Sequence, residues 1–417
     1  MRILVISPLF VPQADSEAFC GAKFVLALRE TGADVVVISD PDHGEHRSTD
    51  SSAAWASLES ATLAIRTKRN RNLLESASCA LRYQTWAWAR WNGAVVRAAK
   101  KLHCEIPFDL IVTRSLTWDA CVAGYWIAKA LHRPWIANQN DPWNLRKIGL
   151  RSVRPQNQAY QLLMDFWLRR CLRSATKITY PCARLAGYFA RTGRVPHKAS
   201  IIPHIGWERR SEPPPRQFTI VHAGKVGSDD CTGRSSLPLL RGLARFLRET
   251  PNAQANCQLI FVGPEDPMAS KAGQELNLTD HVKSVGRVSY EESLRYVAKS
   301  AVCVLVEGEL QEGIFLPSKL VDYIAARKPV LALSPRIGTV ADLAAGQGIL
   351  RADPDDIEGT AAHLEFLYER FQKGELSRCQ PPESLIREFE PKTVVRLFLD
   401  LVEEVIDRRQ SVRDFGV

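Results

Sequence analysis

No apolar run in the 417-residue sequence approaches the ~18–20 residues that a membrane-spanning helix needs, and the first ten residues read as a strand rather than a leader. There is no Cys-x-x-Cys and no His/Cys ligand spacing. The ten cysteines are scattered, as expected of reduced, mostly buried thiols in a cytoplasmic protein. No Gly-x-Gly-x-x-Gly follows the first strand, where Gly21 stands alone, so dinucleotide binding at this end is not expected. The net charge of +9 comes with no nucleic-acid motif; it suits phosphorylated substrates or an anionic membrane surface, and nucleic acid is not expected as a partner.

What the chain does have is strand and helix in alternation. Short apolar runs at 2–7, 34–39, 108–113, 135–138, 177–180 and 199–203 read as strands of a parallel sheet, with helical segments between them. The pattern restarts at 218–222 and continues through 258–262, 282–285, 302–306, 329–333 and 348–351. Between the halves lies Glu-Arg-Arg-Ser-Glu-Pro-Pro-Pro-Arg, residues 208–216, a charged and proline-rich linker. The expected fold is α/β, with two Rossmann-like doubly wound domains at 1–208 and 217–390, a linker at 209–216 and a terminal helix within 391–417.

One stretch concentrates the chemistry: Glu312-Gly-Ile-Phe-Leu-Pro-Ser318-Lys319-Leu-Val-Asp322. Pro317-Ser318 opens a helix, Ser318 serving as cap, and the unpaired N–H groups of a helix start attract anions. Lys319 adds a full charge in the first turn, and Asp322 follows three residues on, on nearly the same face. A cation and a helix start suit phosphates, and a carboxylate one turn on suits vicinal hydroxyls. The plainer account is a solvated Lys/Asp pair. A second glycine- and cation-bearing loop follows the strand at 218–222: Gly224-Lys225, then Gly227 and Gly233-Arg234. Gly224 allows close backbone approach, and the Arg234 guanidinium can pair two phosphate oxygens.

Glu-Gly-x-x-x-Pro-Ser-Lys-Leu-x-Asp-Tyr-x-Ala-Ala-x-Lys-Pro-Val resembles the donor-site signature of the family-four retaining glycosyltransferases, whose fold, GT-B, sets two Rossmann-like domains across a cleft. The resemblance implies a nucleoside-diphosphate sugar as donor substrate, no cofactor and no bound metal. It puts Asp322 on the ribose, Glu312 against the donor sugar, and Gly224, Lys225 and Arg234 on the diphosphate. Gly263 and the turn Arg287-Val288 fall where relatives hold the nucleobase side of the donor. Arg234, Lys319 and Glu312 are the residues expected to act in the transfer itself. The first domain is implied to face the acceptor, a saccharide or lipid-linked hydroxyl, through Ser16, Glu17, Arg114, Ser115 and Asp141, and the terminal helix is implied to cross back to it. Cell-surface polysaccharide or glycolipid synthesis is the implied setting. Two departures stand out: the acids Glu312 and Asp322 are further apart than usual, and Arg327 replaces the usual glycine before Lys-Pro-Val, so that a left-handed helix end there is strained. A nucleotide-sugar-binding protein without catalysis and a GT-B epimerase remain as alternatives.

Three further features carry weaker signals. Asp40-Pro41-Asp42 mimics a metal-binding pair but reads more simply as a turn. Residues 79–103 interleave Trp86, Trp88 and Trp91 with basic residues; that suits peripheral contact with the inner face of a membrane, against the plainer account of tryptophans facing the core. Residues 144–175 are helical and basic, with Arg146, Arg151, Arg154, Arg169, Arg170 and Arg173.

Overall fold

The computed structural model describes residues 1–42, 48–67, 89–115, 118–143, 158–192, 196–207, 215–226, 233–345 and 348–414. The chain divides into two compact units: 1–144, 155–204 and 391–417 form the first, and 145–154 with 205–390 form the second. The division falls after His204 rather than at 208, because Gly206 N–H donates to the Phe389 carbonyl (2.9 Å) and Trp207 N–H to Asp322 Oδ1 (3.3 Å), both in the second unit. Most of the expected linker, 208–214, lies outside the described residues.

In the first unit, strands β1 (Arg2–Ile6), β2 (Asp34–Ser39), β3 (Thr62–Ala64), β4 (Leu110–Ser115), β5 (Trp135–Gln139), β6 (Lys177–Tyr180) and β7 (Ala199–Ile201) form a parallel sheet in the order β3-β2-β1-β4-β5-β6-β7. Helices α1 (Ser16–Glu30), α2 (Ala89–Glu105), α3 (Trp118–Leu131), α4 (Gln158–Ser174) and α5 (Ala183–Arg191) make the crossovers. Buried apolar side chains in β1 and β5 mark the centre of a sheet covered on both faces. The order reverses between β1 and β4, which makes their carboxyl ends the unit's topological switch point.

After β2 the chain forms a 3-10 segment at Ala53–Ala61 and the edge strand β3. Trp55 anchors this segment: it is buried, donates to Asp50 Oδ1 (2.8 Å) and stacks on Phe19. Trp91 is fully buried on α2 and donates from its indole to the Ile65 carbonyl (3.1 Å), so this tryptophan belongs to the core. Trp86 and Trp88 lie outside the described residues.

The second unit repeats the plan. Strands β8 (Phe218–Ala223), β9 (Cys257–Val262), β10 (Val282–Ser284), β11 (Val302–Val306), β12 (Val330–Leu333) and β13 (Ile349–Ala352) run parallel in the order β10-β9-β8-β11-β12-β13. Between them lie α6 (Leu237–Glu249), α7 (Pro267–Glu275), α8 (Tyr290–Lys299), α9 (Ser318–Ala325) and α10 (Thr339–Ala344); α11 (Ile357–Gln372) and α12 (Glu383–Glu388) follow β13. Its core centres on Phe218, Phe246 and Tyr368, whose rings meet edge-on or tilted. The switch point is between β8 and β11. The last helix, α13 (Pro391–Asp414), belongs to the first unit, where Phe398 meets the Phe24 ring of α1 edge-on.

Candidate functional site

The expected donor residues gather at the switch point of the second unit. The loop after β8 supplies Gly224, Lys225 and Arg234, and the segment after β11 leads through Glu307 and Glu312 into α9. Gly224 has φ +98°, and a Cβ there would stand 3.2 Å from Lys319 Nζ; one added to Gly263 would meet the Gly224 carbonyl at 2.7 Å. Glycine is what allows the β8 and β9 turns to close over the lysine.

Lys319 reaches back across the opening of α9. Its Nζ lies 3.1 Å from His222 Nε2 and donates to the Lys225 carbonyl (3.0 Å). Burial, followed by the nearby Arg234 cation, lowers its pKa to about 7, and Glu307 opposes the shift. His222, fully buried at the end of β8, is held well below the usual imidazole range, first by burial and then by Lys319. Its Nδ1 lies 3.0 Å from the Val304 carbonyl. Glu307, buried at the end of β11, is pushed up to about 7 by burial, against the pull of Arg234 and Lys319. Its Oε2 and the Arg234 Nε are buried without a hydrogen-bond partner. Two cations and an acid thus share a small volume without saturating one another, at the start of a helix whose dipole favours an anion.

Asp322 lies one turn on from Lys319 in α9. It is buried, its Oδ1 accepts Trp207 N–H (3.3 Å) and its Oδ2 accepts the Tyr290 hydroxyl (2.9 Å). These two donors hold the acid in place. Ser318 is not the cap of α9: Pro317 takes that position with φ −65° and ψ 123°, and its carbonyl accepts from Leu320 N–H. Glu312 is half-buried, and the adjoining Gly313 bonds both ways with the 337–339 segment (Gly313 N–H to Ile337 O, 2.8 Å; Thr339 N–H to Gly313 O, 2.7 Å). Arg287 is exposed and Val288 half-buried in the turn that Gly263 N–H reaches through the Gly286 carbonyl (3.0 Å). Gly227 lies outside the described residues.

The first unit has its own polar cluster at its switch point. Asp15 caps α1 by accepting Glu17 N–H (2.8 Å), which turns the Glu17 side chain inward and leaves Ser16 exposed. Glu17 Oε2 accepts from Asn140 Nδ2 (2.5 Å), and its Oε1 lies 3.6 Å from the Arg114 guanidinium. Burial pushes the Glu17 carboxyl up to about 7; Arg114 and Asn140 work against that, while Asp141 and Asp15 add to it. Arg114 and Asn138 are partners in the β4–β5 register, and Arg114 Nε, Asn138 Oδ1 and Asn140 Oδ1 are buried without partners. His204 is held down at about 3 by burial and by Arg114 and Lys23, so it is a neutral imidazole. Asp40 is buried, and its Oδ1 accepts Asp42 N–H (3.1 Å), the geometry of a turn. The Ser115 side chain lies outside the described residues.

Residues 22–204 match the family model described as glycosyl transferase 4-like domain. No curated protein matches the chain in sequence. In solved structures the whole chain shares the GT-B fold of glycosyltransferases. It superposes on Alr3699/HepE of Anabaena, solved with UDP, at a TM-score of 0.67 with 15% identity, covering 97% of this chain and 100% of that one. Against sucrose-phosphate synthase of Thermosynechococcus elongatus the values are 0.62 and 17%, covering 100% and 99%. Against a putative UDP-N-acetylglucosamine 2-epimerase of Listeria monocytogenes they are 0.61 and 11%, covering 98% and 97%. Arg114 and Asn140 fall within the matched residues and Glu17 just before them, while Arg234, Glu307 and Lys319 lie in the second unit beyond the match.

Sequence reasoning brought Gly224, Arg234 and Lys319 to one place and Glu17, Arg114 and Asp141 to another. It passed over His222, Glu307, Asn140, Trp207 and Tyr290. The first two carried a usable signal, since a polar residue that closes an all-apolar strand points to the carboxyl edge where α/β sheets keep their ligands.

Proposed function

We propose that the protein is a retaining glycosyltransferase of hexosyl type, which moves a sugar from a nucleoside-diphosphate sugar to a hydroxyl of a saccharide or lipid-linked acceptor in cell-surface polysaccharide or glycolipid synthesis. The observation that carries this reading is the convergence of Arg234 and Lys319, with an unpaired guanidinium Nε, on the opening turn of α9. The Anabaena protein of the same fold, solved with UDP and with UDP-glucose, makes a uridine diphosphate the first donor to test.

As the bond between sugar and diphosphate breaks, negative charge grows on the diphosphate. Cations and a helix start already aimed at that charge stabilise the transition state more than the ground state. Arg234 and Lys319 take this role, with Lys225 beside them. Glu312 holds hydroxyls of the donor sugar, and Asp322, steadied by Tyr290, holds the ribose. With retention, the acceptor proton leaves through a donor phosphate oxygen, so no nucleophile from the protein is required. Neither a resident metal nor a cofactor enters this scheme. In the first unit, Glu17, Arg114 and Asp141 orient the acceptor hydroxyl.

The test measures transfer from UDP-sugars and the melting shift with UDP, because a ligand of the native state raises its melting point. Arg234→Ala is expected to lower the transfer rate roughly 10²–10³-fold with little change in melting. Wild-type rates in that variant would remove Arg234 from the mechanism. The likeness to the Listeria protein motivates a second reading, epimerisation of a nucleotide sugar. Conversion of the donor with no acceptor present would favour it, and acceptor-dependent release of UDP would exclude it.

A further inference from the structure

Helix α4 buries one face and exposes the other, where the Phe166 ring meets Trp167 edge-on and the Arg170 guanidinium lies over the Tyr125 ring, 5.0 Å from its centroid. Trp167, Leu168, Cys171 and Leu172 are buried against the unit; the Cys171 thiol donates to the Cys121 carbonyl of α3, and the Trp167 ring meets Tyr125 edge-on. On the opposite side Leu162 is 71% exposed and Phe166 54% exposed, among the most exposed large apolar side chains described. Arg169, Arg170 and Arg173 are exposed as well. At ~100° per residue these five side chains fall within an arc of about 100°, one face of the helix. They are also separated along the axis: the apolar pair lies towards the amino end and the arginines one to two turns further on. The only acidic residue of α4, Asp165, is half-buried.

We propose that this face of α4 docks on an anionic membrane surface, with Leu162 and Phe166 entering the interfacial layer and the three arginines meeting lipid phosphates. Water solvates a leucine and a phenylalanine poorly, whereas the boundary between headgroup and acyl chain accepts them, and guanidinium groups one or two turns away reach phosphate at headgroup depth. Three cations on a face without an exposed carboxylate complement anionic lipid rather than a mixed-charge protein surface. Helix α2, for which the sequence left membrane contact and core packing open, lacks this combination in its described part. It exposes Arg97, Lys100 and Lys101 but buries Trp91, so it offers charge without an apolar anchor. Among the described residues no helix is long and apolar enough to cross a membrane, which leaves surface docking as the form of contact for α4.

The test is flotation of the full chain with phosphatidylcholine vesicles, with and without phosphatidylglycerol. Binding is expected only with the anionic lipid and is expected to weaken as salt is raised. The double variant Leu162→Gln/Phe166→Gln is expected to lose flotation while melting as the wild type does. Changing each arginine to Gln is expected to lower partitioning about five-fold, the factor that corresponds to one basic residue at such a surface. Phe166→Trp supplies a direct reporter, its fluorescence shifting to the blue with phosphatidylglycerol vesicles. Absence of flotation, flotation unchanged by the double variant, or an unshifted indole would each overturn the proposal. So would a dimer in light scattering that the double variant abolishes, which would give this face to a second copy of the chain. Docking and sugar transfer are separable: the melting shift with UDP reads the donor site in every variant and does not depend on vesicles.

Discussion

Glu307 stands at the end of a buried strand with its carboxyl between two cations and yet short of a hydrogen bond at Oε2. Because its pKa rises to about 7, the folded state holds a proton that the unfolded chain releases near 4.5. The stability linked to that proton is fully present below about 4.5 and is lost as pH rises through 7, and Glu17, raised to about 7 in the same way, adds to the slope. Glu307→Gln is therefore expected to flatten stability against pH between these values, by about 1–3 kcal/mol, in denaturant titrations across pH. Lys319 works in the opposite sense. Lowered to about 7, it binds fewer protons when folded than unfolded from there up to about 10.5, so its contribution to stability grows as pH rises through that window. At pH 8 most of its ammonium is deprotonated, and an arriving diphosphate favours the charged form. UDP binding is expected to take up a proton at that pH, read by calorimetry in buffers of different ionisation enthalpy, and Lys319→Met is expected to abolish the uptake. Asp322 differs from both, since two protein donors already hold it. Asp322→Ala is expected to lower stability by about 1–3 kcal/mol as well as transfer, because the Trp207 N–H and the Tyr290 hydroxyl lose their acceptor.

Among the elements, α9 shows how a residue at odds with the expected pattern is accommodated. Arg327 follows the helix with φ +55°, where glycine is at ease, and the closing bonds Arg327 N–H to Ile324 O and Lys328 N–H to Tyr323 O are formed all the same. Its guanidinium pairs with both carboxylate oxygens of Glu383 on α12. A left-handed backbone costs about 1–2 kcal/mol in a residue with a Cβ, and an exposed ion pair returns at most about 1. Arg327→Gly is thus expected to change stability little, while Arg327→Ala keeps the strain and loses the pair. Urea titration should place the glycine variant about 1 kcal/mol above the alanine variant. The strand at 330–333 that follows was legible because all four of its side chains are apolar and buried; the same holds for all five of β11, and β1, β2 and β8 each carry an apolar run of two to four residues. Strand β3 was not legible, as Thr62-Leu63-Ala64 offers one large apolar residue, and its place is fixed by register with Val37, Ile38 and Ser39. The donor loops could be read because glycine, cation and helix start are adjacent in sequence. The Glu17–Asn140 contact could not, since it joins residues 123 apart and depends on α1 starting at Asp15 rather than on any local pattern.

At the scale of the molecule, the chain leaves the first unit at His204 and returns to it at Pro391, so that unit is completed by its last helix. The face of α13 turned to the unit buries Val394, Val395, Phe398, Leu401, Val402 and Val405, and Glu404 pairs with Lys177 at the start of β6 (2.9 Å). Full burial of one such side chain contributes roughly 1.5–3 kcal/mol, and a whole domain holds only about 5–15 in reserve. Losing six at once, about 9–18 kcal/mol, is as large as that whole reserve. The segments of the second unit, 145–154 and 205–390, end before α13 begins. A chain ending at residue 390 is therefore expected to unfold in two steps, the first unit melting far below the second, since two units with separate cores need not unfold together. Calorimetry in the presence of UDP distinguishes them: the upper transition should still rise with the nucleotide, because Arg234, Glu307 and Lys319 all lie in the second unit. A single transition at the wild-type temperature would show that α13 is dispensable to the first unit's core, and loss of the nucleotide shift would show that the donor site depends on more than the second unit.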